Sequence, residues 1–191
     1  MPKVHHSLPI SERFISIQGE GTRIGRLSYF IRVYHCNLRC SFCDTPYSYG
    51  GSDFQKMTIE EIAAAVISSK INNVVITGGE PCLYDLGPLI ELLPHQEIEI
   101  ETNGTLIPQF PLAGIEWNVS PKSVSAGEKI VESSLRFWVE AAKNYSVIFK
   151  FVVRKEPNTQ RDLEEVSTIA HEFGIRPKSI FIMPEATNRM N

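Results

Sequence analysis

Six short apolar runs punctuate the chain: "LSYFIRVY" (27–34), "NVVIT" (73–77), "IEIET" (98–102), "IEWNV" (115–119), "SVIFKFVV" (146–153) and "SIFIM" (179–183). They are rich in β-branched and aromatic residues and mostly near-continuously apolar, which predicts strands buried on both faces. Between them, helical spacing of apolar positions marks residues 58–70, 84–93, 131–144 and 159–174. Thr58 with Glu61 three residues on is a capping-box pattern, and Gly174 supplies a stop after the last helix. Alternating strands and helices predict an α/β fold with a mainly parallel sheet. Six strands are too few for an eightfold barrel. The expected architecture is therefore a partial, incomplete TIM-like barrel of about six parallel strands, in a single domain over 1–191. Ligands in such folds collect at the carboxyl ends of the strands. The unusual motifs fall there: "HCNLRCSFCDT" after the first main strand, "TGGEP" after the second, "ETNGT" after the third and "SPK" after the fourth.

Composition narrows the partners. A 191-residue chain that is 42% hydrophobic can bury a real core, and a net charge of −3 offers no basic field for nucleic acid or an anionic membrane. No apolar run is long enough to span a bilayer, and the N-terminus has no signal-peptide pattern, so a soluble cytoplasmic protein is expected. No repeat, low-complexity tract or linker stands out. His5 and His6 read as a polar tail, and Trp117 and Trp138 as core.

Three of the four cysteines lie within eight positions, as Cys36-x3-Cys40-x2-Cys43. A disulfide joins only two of them and leaves an odd thiol. Structural zinc is the sharper rival, with His35 or Cys82 as a fourth ligand, though no second ligand knuckle exists. A 4Fe-4S cluster held by three thiolates accounts better for the number three, because its fourth iron stays open to a small molecule. Cys82, next to Pro81, reads as a packed small hydrophobe.

C-x3-C-x2-C after the first barrel strand, together with "TGGEP" (77–81), resembles the radical S-adenosylmethionine (SAM) superfamily. The resemblance implies that the open iron chelates SAM, and that electron transfer cleaves SAM to methionine and a 5′-deoxyadenosyl radical. "FISIQGEGTRIGRLSYFIR" (14–32), "CDT" (43–45), "NVSPKS" (118–123) and "FKFVV" (149–153) further resemble the 7-carboxy-7-deazaguanine synthase family, over about residues 10–153. That family is a short radical SAM lyase with an incomplete barrel and a homodimeric assembly. It converts 6-carboxy-5,6,7,8-tetrahydropterin to 7-carboxy-7-deazaguanine with loss of ammonia, for queuosine-type 7-deazapurine biosynthesis. The cofactors it implies are SAM, a 4Fe-4S cluster and Mg2+, with an external one-electron donor such as flavodoxin or ferredoxin.

The resemblance places Ile17, Gln18 and Gly19 at the pterin, and the chemistry of Glu20 extends that set. Arg32 matches a carboxylate-binding arginine, for which a planar fork is apt, and Thr77 a substrate contact. Cys36, Cys40 and Cys43 match the cluster ligands and Thr45 a Mg2+ ligand, with substrate and water oxygens completing the metal. Gly79, Ser120, Pro121 and Lys122 match SAM contacts. Phe42 and Asp44 flank the adenine side, and Glu80 is expected to reinforce the SAM amino group. No catalytic acid or base is indicated, since the cofactor's radical abstracts the hydrogen. The chain ends at "FIMPEATNRMN", so the C-terminal segment reads as short or truncated relative to the family. Two other functions remain open. A glycyl-radical activating enzyme shares the cysteine spacing but needs a protein-docking surface. A non-enzymatic zinc-binding module predicts bound zinc instead of iron.

Overall fold

The computed structural model describes residues 7–185, and all six apolar runs form strands of one sheet. Residues 1–6, which include His5 and His6, and residues 186–191 lie outside the described residues. The six strands are β2 (Leu27–Val33), β4 (Asn73–Gly78), β5 (Glu97–Thr102), β6 (Ile115–Val119), β7 (Val147–Val153) and β8 (Ile180–Pro184). All are parallel and adjacent in that order. Two further strands extend the β2 edge: β1 (Ser7–Ile17) pairs antiparallel with β2, and β3 (Gln55–Thr58) pairs antiparallel with the start of β1. The sheet is open, in the order β3-β1-β2-β4-β5-β6-β7-β8.

The helices are α1 (Ile59–Ser69), α2 (Gly87–Glu91), α3 (Glu132–Ala141) and α4 (Thr159–Phe173). Helix α1 opens with the expected box: Glu61 N–H donates to Thr58 Oγ1 at 3.2 Å and Thr58 N–H to Glu61 Oε2 at 2.8 Å. Helix α2 is shorter than its pattern predicts, because Pro88 leaves room for an N-terminal start only at Gly87. Residues 103–114, between β5 and β6, form no helix. None of the helices of the described residues is long and apolar enough to cross a membrane.

Side-chain alternation divides the sheet into two faces. Outward positions such as Ile98, Ile100, Trp117, Val119, Phe149 and Phe151 pack under the helices in one buried cluster. At its centre Trp117 and Trp138 are both fully buried, with ring centroids 4.9 Å apart. The concave face carries Arg32, Thr77, Glu99, Glu101, Glu116, Asn118 and Lys150, and it opens at the carboxyl ends of the strands. Its opposite end is plugged by the turn after β1. Arg23 there donates to Glu116 Oε2 at 3.0 Å and to the Glu97 carbonyl at 3.0 Å, and also meets Asn73 Oδ1.

Candidate active site

The mouth of the concave face is a cleft of about 370 Å3, bounded by β1 and the cysteine loop on one side and by β7 and β8 on the other. Strand β4 ends in Gly78 and Gly79, and both must be glycine. Gly78 has φ +135°, and a Cβ on it would collide with the Val33 backbone; one on Gly79 would collide with the His35 carbonyl. This close approach lets Gly79 N–H donate to Val33 O at 3.0 Å and Glu80 N–H to His35 O at 2.8 Å. The "TGGEP" turn is thereby sewn to the root of the cysteine loop.

Cys36, Cys40 and Cys43 are free, partly buried and line the same cleft. Among the described residues, no three His, Cys, Asp or Glu side chains converge tightly enough to hold a single metal ion. A cluster takes one thiolate per iron corner, so three thiols spread along one loop fit it better than they fit zinc. Leu38 N–H at 3.5 Å and Asn103 Nδ2 at 3.8 Å approach Cys36 Sγ, the hydrogen-bonding surroundings a cluster thiolate uses. Burial raises the Cys36 thiol, and it pushes Cys40 to about 11 against the pull of Lys122. The thiolate forms of Cys36 and Cys40 are therefore disfavoured without a cationic centre beside them.

Of the residues singled out from the sequence, fifteen line this cleft: Ile17, Gln18, Gly19, Glu20, Arg32, Cys36, Cys40, Phe42, Cys43, Asp44, Thr45, Thr77, Gly79, Ser120 and Lys122. Pro121 does not line it. Neither does Glu80, whose fully buried carboxylate accepts from Cys82 N–H (2.9 Å), Thr102 Oγ1 (2.6 Å) and Asn103 N–H (2.7 Å). Glu80 thus ties the end of β4 to the end of β5 instead of facing a ligand. Cys82 is buried and packed in the core.

Gln18 also turns inward. Its Nε2 donates to Glu99 Oε1 (2.9 Å) and Glu101 Oε1 (3.1 Å), and its Oε1 accepts from Glu20 N–H (3.2 Å). Arg32 donates from Nε to Glu12 Oε1 at 2.7 Å, and Tyr47 Oη donates to the same oxygen at 2.8 Å. Burial opposes ionisation of Glu12, yet these two bonds hold its carboxyl below the usual range. Thr45 Oγ1 lies 3.9 Å from Cys43 Sγ. Lys122 Nζ donates to Ser120 Oγ at 2.6 Å, and burial with the nearby Lys150 lowers it to about 8.

Several lining residues escape sequence reasoning. Lys150 pairs with Glu20 across the cleft, and Glu20 with Glu101 raises its pKa against the cost of burial. Its signal is a lone lysine at an inward position of an otherwise apolar strand. Glu101, which accepts from Thr77 Oγ1 at 2.8 Å, and Asn103 lie in "ETNGT", placed at a strand end but assigned no role. Phe14 and Phe30 stack with centroids 4.9 Å apart and form an aromatic wall; nothing local in the sequence marks that pair.

The Radical SAM superfamily profile matches residues 30–185. The chain is 35% identical over 184 residues to the 7-carboxy-7-deazaguanine synthase of Pyrobaculum aerophilum, covering 93% of this chain and 79% of that protein. It is 33% identical over 186 residues to the synthase of Clostridium acetobutylicum, covering 92% and 80%. Among solved structures, QueE from Escherichia coli superposes with a TM-score of 0.75 at 25% identity, over 97% of this chain and 86% of that one. Native anSMEcpe with bound AdoMet matches at TM-score 0.53 and 20% identity, over 79% and 49% of the two chains, and shares the fold alone.

Proposed function

The chain belongs to the 7-carboxy-7-deazaguanine synthase family of the radical SAM superfamily, and from that premise we propose that it converts 6-carboxy-5,6,7,8-tetrahydropterin to 7-carboxy-7-deazaguanine with loss of ammonia. The observation that carries the reading is the shared cleft: three free cysteines, the "TGGEP" rim and Arg32 open onto one cavity. When bound, the cluster and SAM supply the reducing electron and the hydrogen-abstracting radical. The protein's residues bind, orient and exclude water.

Cys36, Cys40 and Cys43 would hold the cluster. Gly79, Ser120 and Lys122 would face SAM, with Phe42 and Asp44 toward its adenine. Arg32, steadied by Glu12, receives the pterin carboxylate as a fork. The Phe14–Phe30 wall suits a flat bicycle, and Ile17, Gly19, Glu20 and Thr77 line the edge where its polar atoms would lie. Thr45, which lines the cleft, would offer one hydroxyl oxygen to a Mg2+, which would help to orient the substrate. The reading further takes the enzyme as a cytoplasmic homodimer of single-domain protomers fed by a flavodoxin- or ferredoxin-type donor.

Anaerobic turnover with 6-carboxytetrahydropterin, SAM, reductant and Mg2+, followed by mass spectrometry, tests the substrate. The expected result is the deazaguanine product with ammonia. SAM cleavage without that product points to an activating enzyme instead. A Thr45→Ala variant with unchanged Mg2+ dependence removes the metal contact from the scheme.

A further inference from the structure

Beneath the cleft floor lies a polar layer that the roles above leave unused. Glu99 on β5 and Asn118 on β6 are 1% and 0% exposed, and neither lines the cleft. Glu99 Oε1 accepts from Gln18, but Glu99 Oε2 and both polar atoms of the Asn118 carboxamide have no hydrogen-bond partner among the described residues. Both side chains crowd the underside of Gly21, where a Cβ would lie 3.1 Å from Asn118 Nδ2 and 3.7 Å from Glu99 Oε1. Buried polar atoms without partners are costly, and three gathered under one loop call for a reason.

We propose that Glu99 is a positioning residue of the substrate loop, acting through the Gln18 carboxamide to fix Gly19 and Glu20 at the cleft mouth. This rests on the reading that the cleft takes the pterin. Gln18 Nε2 spends one hydrogen on Glu99 and the other on Glu101, while its Oε1 holds the Glu20 amide. Its backbone N–H donates to Arg26 O at 2.8 Å, and its carbonyl accepts from Gly25 N–H at 2.8 Å. Every polar group of Gln18 is engaged inside the protein. The residue therefore sets where the loop sits, and the next carboxylate along, Glu20, meets Lys150 on the opposite wall.

Charge decides the form in which Glu99 works. The groups facing it are Arg23 from the turn, Glu116 from β6, Glu101 on its own strand and, beyond Glu101, Lys150 of β7. Strand β4 offers only Val75 opposite it. Arg23 is committed to Glu116, Asn73 and the Glu97 carbonyl, and Lys150 to Glu20. Glu99 thus has acids for close neighbours and no cation of its own. Burial first, then Glu101 and Glu116, push its carboxyl up to about 8. As a neutral acid it accepts from Gln18 through Oε1 and adds no charge to the buried layer. Ionised, it would accept more strongly from Gln18 but would be a buried anion beside Glu101 and Glu116 with no cation of its own, and relieving that charge displaces the side chain that seats the loop.

The test titrates the anaerobic, cluster-reconstituted, SAM-loaded enzyme with 6-carboxytetrahydropterin by calorimetry. Wild-type affinity falls roughly tenfold between about pH 6 and about pH 9, as expected for a group that must stay protonated. Glu99→Gln keeps shape and neutrality, so it holds the pH 6 affinity across the range, whereas Glu99→Ala binds weakly throughout. A Glu99→Gln variant as weak as Glu99→Ala, or one that keeps the wild-type pH dependence, overturns the proposal. If the wild type binds no pterin at any pH, the substrate reading has failed and Glu99 is judged on the loop alone. The readout is then hydrogen exchange at the Gln18 and Gly25 amides, corrected for intrinsic rates. Exchange that is faster in Glu99→Ala but not in Glu99→Gln sustains the positioning role; equal exchange in all three proteins ends it.

Discussion

The two faces of this single sheet carry opposite chemistry on the same strands. On β5, Ile98 and Ile100 go under the helices while Glu99 and Glu101 go to the concave side. On β6, Trp117 and Val119 alternate with Glu116 and Asn118, and on β7 Phe149 and Phe151 flank Lys150. Parity along a strand thus separates what holds the protein together from what handles a ligand. Outward changes are expected to cost stability with the site intact, and inward changes the reverse.

The sharpest way to break that division is at the cysteine loop. Cys36→Ala, Cys40→Ala or Cys43→Ala should each abolish SAM cleavage and lower bound iron from about four per chain, measured after anaerobic reconstitution. The melting temperature of the metal-free proteins should barely move. Cleavage that survived all three substitutions would falsify the cluster assignment. On the outer face, Trp117→Ala removes a fully buried side chain and should cost about 3–5 kcal/mol in urea denaturation. Iron binding per folded chain should remain. On the inner face, Arg32→Lys keeps a cation but loses the fork. A loss of about 1.5–3 kcal/mol in substrate binding is expected, read as a rise in Kd at nearly constant denaturation midpoint.

Glu99 is the inward position where the division bends. The unfolded chain releases its proton near 4.5, whereas the folded protein keeps it to about 8. The folded state therefore binds more protons in that window, and stability contributed at acidic pH is lost as pH rises through it. Glu99→Gln should flatten this slope in denaturation curves taken at several pH values. The smallest effect belongs to a position on neither face. Thr58→Ala deletes the α1 capping box and should cost about 1 kcal/mol with turnover unchanged.

The six parallel strands and the four helices, α2 in shortened form, were legible because their signals are local, a run of β-branched residues or an apolar stripe with a cap. Strand β1 was not. "SLPISERFISI" mixes proline, serine and charge, since Phe14, Ser16 and Ile17 line the cleft while Ile15 stays half exposed away from it. Four-residue β3 exists only because β1 offers an edge to pair with. The cysteine loop and the glycine turn were legible for a similar reason: close spacing and backbone approach leave fixed residue types behind. The orientation of Gln18 and Glu80 was not, because it depends on Glu99, Glu101, Thr102 and Asn103 arriving from another strand. Lys150 was hidden by the apolar residues on either side of it.

The helix-free connection between β5 and β6 has a consequence for the order in which the chain folds. The pair Ile98↔Ile115 spans 17 residues, whereas Ser28↔Asn73, which joins β2 to β4, spans 45. Loop-closure entropy makes the longer excursion costlier by about 0.9 kcal/mol before any contact is made. Contact order then favours β5–β6 as an early pairing and leaves the β2–β4 junction for later. The cysteine loop lies inside that longer excursion. The sulfurs are thus expected to reach their places against a sheet already part built, so that the inorganic cofactor is received by a folded wall and need not organise one.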